Sequence, residues 1–265
     1  MFGSIVQTVR AKRPVIHCIT NYVTANDCAN VLLACGASPV MADAPEEAAE
    51  ITAGCDALVL NLGTLSQSRL AAMLAAGKQA NAKGIPVVLD PVGVGASEFR
   101  RGAVRALLHD VRLTAVRGNC SEITAMTDPD LHRSGVDSAR CDTDSAAASA
   151  RRLAQMTGAV IAVSGAEDFV TDGKTAYCIT NGHPVLRQIT GAGCMLSALT
   201  GAFLAAKCSA ESCAAAVCMT GLAGEIAAAR MTSADGSASA RSFFIDAVYN
   251  MTDEALKQSA KITKL

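Results

Sequence analysis

Two apolar patterns alternate along the chain. Short unbroken apolar runs, such as Ala57-Leu58-Val59-Leu60 and Pro86-Val87-Val88-Leu89, end in polar or glycine-rich loops. Longer Ala- and Leu-rich stretches separate them. An unbroken run is the mark of a strand buried on both faces. The pattern predicts strands over 15–19, 38–41, 57–61, 86–90, 113–116, 159–163 and 184–189, and a hairpin over 168–179 turning at Asp172-Gly173. Helices are predicted over 2–12, 25–35, 46–53, 66–83, 143–156, 210–231 and 239–258, with two more running from Ser97 to about 109 and from Gly191 to about 207. The polar segment 127–142 reads as a surface excursion. Strand, loop, helix is the repeating unit, so the expected fold is a three-layer α/β/α architecture around a mostly parallel sheet. No shift in composition divides the chain, and 265 residues suit one domain over 1–265.

In such sheets ligands bind beyond the carboxyl ends of the strands. Asn61, Asp90, Arg117, Asn119, Glu122, Ser164 and the turn Gly191-Ala192-Gly193-Cys194 all fall in such places. Glycines at that turn let backbone N–H groups face inward. The helix behind it adds unpaired N–H groups and the positive end of its dipole, which together suit a phosphate. The same turn also reads as a plain tight connection with a buried cysteine. Asn119 and Glu122, three residues apart, share one face of a helix start; that face suits a hydrated Mg²⁺ and equally suits solvent. Asp90 reads as a second carboxylate or as a cap for the next turn, and Arg117 as a cation for phosphate or a surface ion pair. His17 reads as a satisfied histidine near a strand and takes no role.

Composition narrows the partners. Half the residues are hydrophobic (51%), yet aromatics are 3% and Trp is absent, which disfavours base-stacking modules. Net charge is −1 without a basic run, so neither nucleic acid nor an anionic membrane is an expected partner. The apolar tracts near 196–206 and 214–229 read as buried helices rather than membrane spans. The 11 cysteines include no C-x-x-C pair, and the N-terminus lacks a secretory pattern. Free, mostly buried thiols in a reducing cytoplasm are expected, with Cys208, Cys213 and Cys218 as small core residues.

Common fingerprints fail. Gly173-Lys174-Thr175 ends like a P-loop, but the upstream glycine position is Asp168. Gly93-Val94-Gly95 and Gly191-Ala192-Gly193 start like dinucleotide motifs, but the third glycine position holds Glu98 or Leu196. Neither H-E-x-x-H nor G-x-S-x-G occurs. What remains is the requirement set of phosphoryl transfer from ATP: an anion cradle, a metal held by carboxylates, a cation and a positioned hydroxyl.

The segments His17-Cys18-Ile19-Thr20-Asn21-Tyr22-Val23, Ser38-Pro39-Val40-Met41, Asp90-Pro91-Val92-Gly93-Val94-Gly95, Arg117-Gly118-Asn119-Cys120-Ser121-Glu122 and Gly191-Ala192-Gly193-Cys194 resemble, in order and spacing, the motif series of hydroxyethylthiazole kinase, a thiamine-salvage member of the ribokinase-like superfamily. The resemblance implies a ribokinase-like fold and Mg²⁺-dependent transfer of the ATP γ-phosphoryl group to the alcohol of 4-methyl-5-(2-hydroxyethyl)thiazole. It implies a homotrimer with thiazole sites at subunit interfaces. By motif, Met41, Gly191 and Asn21 bind the thiazole, and Arg117 and Ser164 contact ATP. Asp90, Asn119 and Glu122 organise the metal. Ala192, Gly193 and Cys194 form the catalytic turn, with Cys194 where most of the superfamily has an Asp base. Two positions depart from the family, which usually has Thr at 192 and at 164. Ala192 keeps its backbone N–H and Ser164 its hydroxyl, so tuned ATP affinity is expected rather than lost function. A thiol with an ordinary pKa of ~8.5 is a modest base near neutrality, and bound phosphates oppose its ionisation. The residues also admit a kinase for another small alcohol such as hydroxymethylpyrimidine, an ATP-dependent hydro-lyase that repairs hydrated nicotinamide nucleotides, or a non-catalytic nucleotide-binding protein.

Overall fold

The computed structural model describes residues 2–127 and 143–265. Helix α1 (Ile5–Lys12) leads into β1 (Val15–Ile19), α2 (Ala25–Cys35), β2 (Ser38–Val40), α3 (Ala48–Ala53) and β3 (Ala57–Asn61). Then come α4 (Gln67–Lys83), β4 (Val87–Asp90), α5 (Glu98–Asp110), β5 (Ala115–Asn119) and α6 (Cys120–Thr127). After α7 (Thr143–Thr157) and β6 (Val160–Ser164), strands β7 (Asp168–Thr171) and β8 (Ala176–Ile179) form the hairpin. The chain closes with α8 (Ala192–Ala206), α9 (Ala210–Arg230), α10 (Ser237–Asn250), α11 (Asp253–Ser259) and β9 (Ile262–Lys264). Among the described residues one sheet holds every strand, in the order β2-β1-β3-β4-β5-β6-β7-β8-β9. Pairing is parallel from β2 through β6 and antiparallel beyond.

The apolar runs form the central strands for the expected reason. Every residue of β3 and β4 is buried, and the pleat divides them between two cores. Ala57 and Val59 join a core under α1, α2, α8, α9 and α10, whereas Leu58 and Leu60 join the opposite core under α4 and α5. Small residues let the helices come close: a side-chain carbon on Gly201 of α8 would lie 2.6 Å from Val59 Cγ2. Helix α9 is long and apolar enough to cross a membrane, but 78% of its apolar window is buried inside the protein. His17 is likewise internal. Its ring nitrogens meet Thr52 Oγ1 at 2.8 Å and the Ala42 carbonyl at 2.7 Å, and burial lowers its pKa.

Four expectations need correction, and one strand was not expected. Residues 184–189 are not a strand; Pro184–Gln188 is a 3₁₀ turn. Pro184 opens it, His183 Nδ1 accepts from Val185 N–H, and the buried positions Val185 and Ile189 are four apart rather than alternating. Strand β5 starts and ends later than its apolar run, so Arg117 and Asn119 lie in the strand rather than in a loop. The last helix is two, because Thr252 caps α11 by accepting from Ala255 N–H and Asp253 turns inward to bind Val6 N–H and Gln7 N–H. Strand β9 was not anticipated; it is short, mostly exposed and an edge. Nine described cysteines are free, but Cys120 is disulfide-bonded and Cys208 is exposed rather than core. The surface excursion expected at 127–142 falls, apart from Thr127, outside the described residues.

Candidate active site

The carboxyl ends of β1, β3, β4, β5 and β6 converge on the start of α8. Gly191 takes a left-handed conformation (φ 84°), and a side-chain carbon there would collide with Thr24 Cγ2. Glycine satisfies both constraints. The first helical bond of α8 runs from Met195 N–H to Gly191 O at 2.8 Å. The N–H groups of Gly193 and Cys194 therefore start the helix without helical acceptors. A side-chain carbon on Gly193 would strike the Arg117 guanidinium. Turn and arginine are thus built as one surface.

Asp90 ends β4 with no solvent exposure. Its Oδ2 accepts from Asn61 Nδ2 and from Ser197 Oγ, each at 2.7 Å, and lies 3.8 Å from Arg117 Nη1. Its Oδ1 has no hydrogen-bond partner, and neither does the buried Arg117 Nε. Burial pushes the Asp90 carboxyl up to about 6; the Glu122 charge adds to the rise, and Arg117, Ser197 and Asn61 oppose it. Arg117 Nη2 donates to Ser164 Oγ at 2.6 Å, which fixes the guanidinium from its other side.

Asn119 and Glu122 meet, not on one face of a helix but as a reciprocal cap, with Asn119 ending β5 and Glu122 in the first turn of α6. Asn119 Oδ1 accepts from Glu122 N–H at 2.9 Å, and Glu122 Oε2 accepts from Asn119 N–H at 2.8 Å. Glu122 Oε1 accepts from Gly93 N–H at 2.9 Å and so pins the loop after Asp90. Among the described residues no group of three or more His, Cys, Asp and Glu side chains could hold a metal. Such a cage is not what Mg²⁺ requires, since it takes one or two carboxylates and keeps waters and phosphate oxygens. A buried carboxylate oxygen left without a donor, on hard-oxygen chemistry beside a second carboxylate, fits that ion.

Cys194 Sγ accepts from Asn21 Nδ2 and Asn61 Nδ2, both at 3.3 Å. Burial raises its pKa and Asp90 adds to the rise, against the lowering hydrogen bonds from Thr24, Asn21 and Asn61. The helix start does not turn this thiol into a resting thiolate. Asn21 Oδ1 accepts from Thr24 N–H at 3.1 Å, so both polar atoms of the Asn21 side chain are engaged within the chain. Met41 stands apart, just past β2 at the edge of the sheet, 38% exposed.

Arg117, Asn119, Ser164, Ala192 and Gly193 line a cavity of about 760 Å³ that extends past Asp168 toward Asn181, Leu186 and Thr220. Asp168 Oδ1 accepts from Gly165 N–H at 2.9 Å, and burial lifts its carboxyl to about 6. Sequence reasoning placed Asn61 at a strand end without giving it a role, and missed Ser197 and Asp168. Ser197 lies one helical turn beyond Gly193, a spacing that puts it on the same face.

Residues 6–254 match the Hydroxyethylthiazole kinase family. The chain is 45% identical to the hydroxyethylthiazole kinase of Clostridium acetobutylicum, covering 98% of each chain, and 46% identical to that of Methanocella arvoryzae, covering 98% of this chain and 97% of the other. Its fold superposes on the solved hydroxyethylthiazole kinase protein of Pyrococcus horikoshii with a TM-score of 0.88 at 35% identity, covering 98% and 97%. Pyridoxal kinase of Staphylococcus aureus, solved with AMP-PCP, shares the fold alone (TM-score 0.62, 17% identity, 95% and 98% covered). Matched along nearly its whole length in both sequence and structure, this chain belongs to the hydroxyethylthiazole kinase family.

Proposed function

We propose that this protein transfers the γ-phosphoryl group of ATP to the primary hydroxyl of 4-methyl-5-(2-hydroxyethyl)thiazole, in the cytoplasm, as a step of thiamine salvage. The observation that carries this reading is the convergence at the start of α8. Open N–H groups, the Arg117 guanidinium and the partnerless Asp90 Oδ1 meet beside Cys194.

The nucleotide occupies the cavity beside Ser164 and Asp168, with its phosphates toward Gly193 and Arg117. Ser164 holds Arg117 against the phosphates. Asp90 and Glu122, with Asn119 beside them, would hold Mg²⁺, which when bound offsets phosphate charge. The alcohol oxygen attacks the γ-phosphorus. The bond to the bridging β,γ oxygen breaks, and ADP leaves. The alcohol proton leaves late, because a loose transition state asks little of a base, and it passes to the minor thiolate form of Cys194, which becomes the thiol. The backbone N–H groups and Arg117 carry most of the stabilisation.

Gly191 and Met41 border the acceptor, and Asn21 contributes position through Cys194 rather than a free hydrogen bond. Tyr22 (77% exposed), Val23 (59%) and Met41 present apolar side chains outward at this end. A neighbouring subunit of a homotrimer covers them and completes the thiazole site. Sedimentation is expected to give a trimer; a fully active monomer would remove this part. The activity itself is tested by mass spectrometry of products after incubation with ATP and either the thiazole or hydroxymethylpyrimidine. Thiazole phosphate is expected as the main product; phosphorylation of the pyrimidine alone would overturn the reading.

A further inference from the structure

Asn61 closes β3 in register with Asp90 on β4 and is 1% exposed. Its side-chain amide makes four hydrogen bonds. Oδ1 accepts from Asn21 Nδ2 at 3.0 Å and from Gly63 N–H at 2.9 Å. Nδ2 donates to Asp90 Oδ2 at 2.7 Å and to Cys194 Sγ at 3.3 Å. An amide offers one acceptor oxygen and two N–H donors, so each is used. The orientation is also dictated. Flipped, the amide would turn its N–H groups on two donors and its oxygen on a carboxylate.

Two consequences follow for chemistry. Asn21 and Asn61 each aim an N–H at the same sulfur, so the sulfur is an acceptor from both. Both donors stabilise the thiolate, the form in which the sulfur can take a proton, and they are already in place, so no reorganisation is needed to hold it. On its other side, Asn61 shares Asp90 Oδ2 with Ser197, which leaves Oδ1 as the open oxygen. One buried amide thereby links the acceptor loop, the cation-binding carboxylate and the proton acceptor.

We propose that Asn61 is a positioning residue for phosphoryl transfer, which holds Cys194 and Asp90 in their working orientations without touching either substrate. The inference rests on the kinase reading above. A purely structural role would lower stability and disturb both substrates alike. A positioning role acts on turnover and depends on Cys194 being present.

The test is steady-state kinetics of full-length Asn61→Ala, Cys194→Ala and the double variant, with ATP and hydroxyethylthiazole. Asn61→Ala is expected to lower kcat about 10- to 100-fold, the range for losing a hydrogen bond to a charged group. The KM for ATP should stay within about twofold, because the Arg117 and Gly193 side of the site is untouched. In the Cys194→Ala background the same substitution should cost several-fold less than in the wild type, because only the donated bond to Asp90 is then left to lose. Equal losses in both backgrounds, or an ATP KM that rises as kcat falls, would overturn the proposal. If Asn61→Ala does not fold, Asn61→Asp keeps the size and the Asn21 and Gly63 contacts while setting a like charge against Asp90. Its kcat should fall at least as far, and a kcat within about threefold of wild type overturns the proposal. A wild-type protein without thiazole-dependent ADP release overturns the kinase reading instead, so the two failures are distinguishable.

Discussion

The two sides of the proposed site are built differently. On the side of β5 and β6, a cavity of about 760 Å³ is walled by the chain itself, and its key cation is held from two directions by Asp90 and Ser164. On the side of β1 and β2, the loops end in outward-facing Tyr22, Val23 and Met41. Those loops are tied to one another rather than closed over a pocket. Arg69 does the tying: Nε and Nη2 donate to Asp43 Oδ2 at 2.9 and 2.6 Å, and Nη1 donates to Thr64 Oγ1 at 2.6 Å, which also accepts from Tyr22 N–H at 3.3 Å. Three loops hang on one guanidinium. The lesson is that one half is preorganised within a single chain, while the other is braced for completion from outside.

The comparison can be broken most severely at the seam. Gly193→Val would push Arg117 away from the turn and add bulk where phosphates bind. Activity is expected to fall by about 10³-fold or more, beyond the loss of a single oxyanion donor, with ATP-induced thermal stabilisation lost as well. Retained ATP stabilisation would place the phosphates elsewhere.

Asp90→Asn separates activity from stability. A carboxyl whose folded pKa is raised, here from 3.8 to about 6, binds its proton more tightly folded than unfolded. Its contribution favours folding below the unfolded value and is lost as pH rises through about 6. The shift corresponds to about 3 kcal/mol at neutral pH. Asp90→Asn should therefore abolish most turnover yet unfold no more easily than wild type at pH 7 without Mg²⁺, and it should flatten the loss of stability between about pH 4 and 7. Denaturant titrations across that range check it; a markedly less stable variant at pH 7 contradicts the burial argument.

The smallest effect is on the acceptor side. Arg69→Ala frees the loops around Met41 and should raise the thiazole KM about tenfold, with ATP KM and kcat little changed. Equal rises in both KM values would mean that the two halves are not independent.

The central strands were legible because strands buried on both faces are written as unbroken apolar runs. Strand β9 was not, because an exposed edge of three residues carries no such signal. The 3₁₀ turn at Pro184–Gln188 was misread because its apolar residues invite a strand, although their four-residue spacing is helical. At the site, strand-end positions singled out Asp90, Arg117 and Ser164 correctly as neighbours. The sequence pattern Asn119-x-x-Glu122 suits a cap as well as a metal face, and the cap is what the hydrogen bonds display. Asn61 gained a role only when β3, β4 and α8 were assembled, since its partners other than Gly63 lie 29, 40 and 133 residues away in the chain.

The most direct measurement is ADP release by the full-length protein with ATP, with and without hydroxyethylthiazole and Mg²⁺. ADP should appear rapidly only when the thiazole and the ion are both present, matched by thiazole phosphate one for one. ADP release that does not depend on the thiazole, or none under any of the four conditions, would contradict the assignment of phosphoryl transfer to the turn at Gly191-Ala192-Gly193-Cys194.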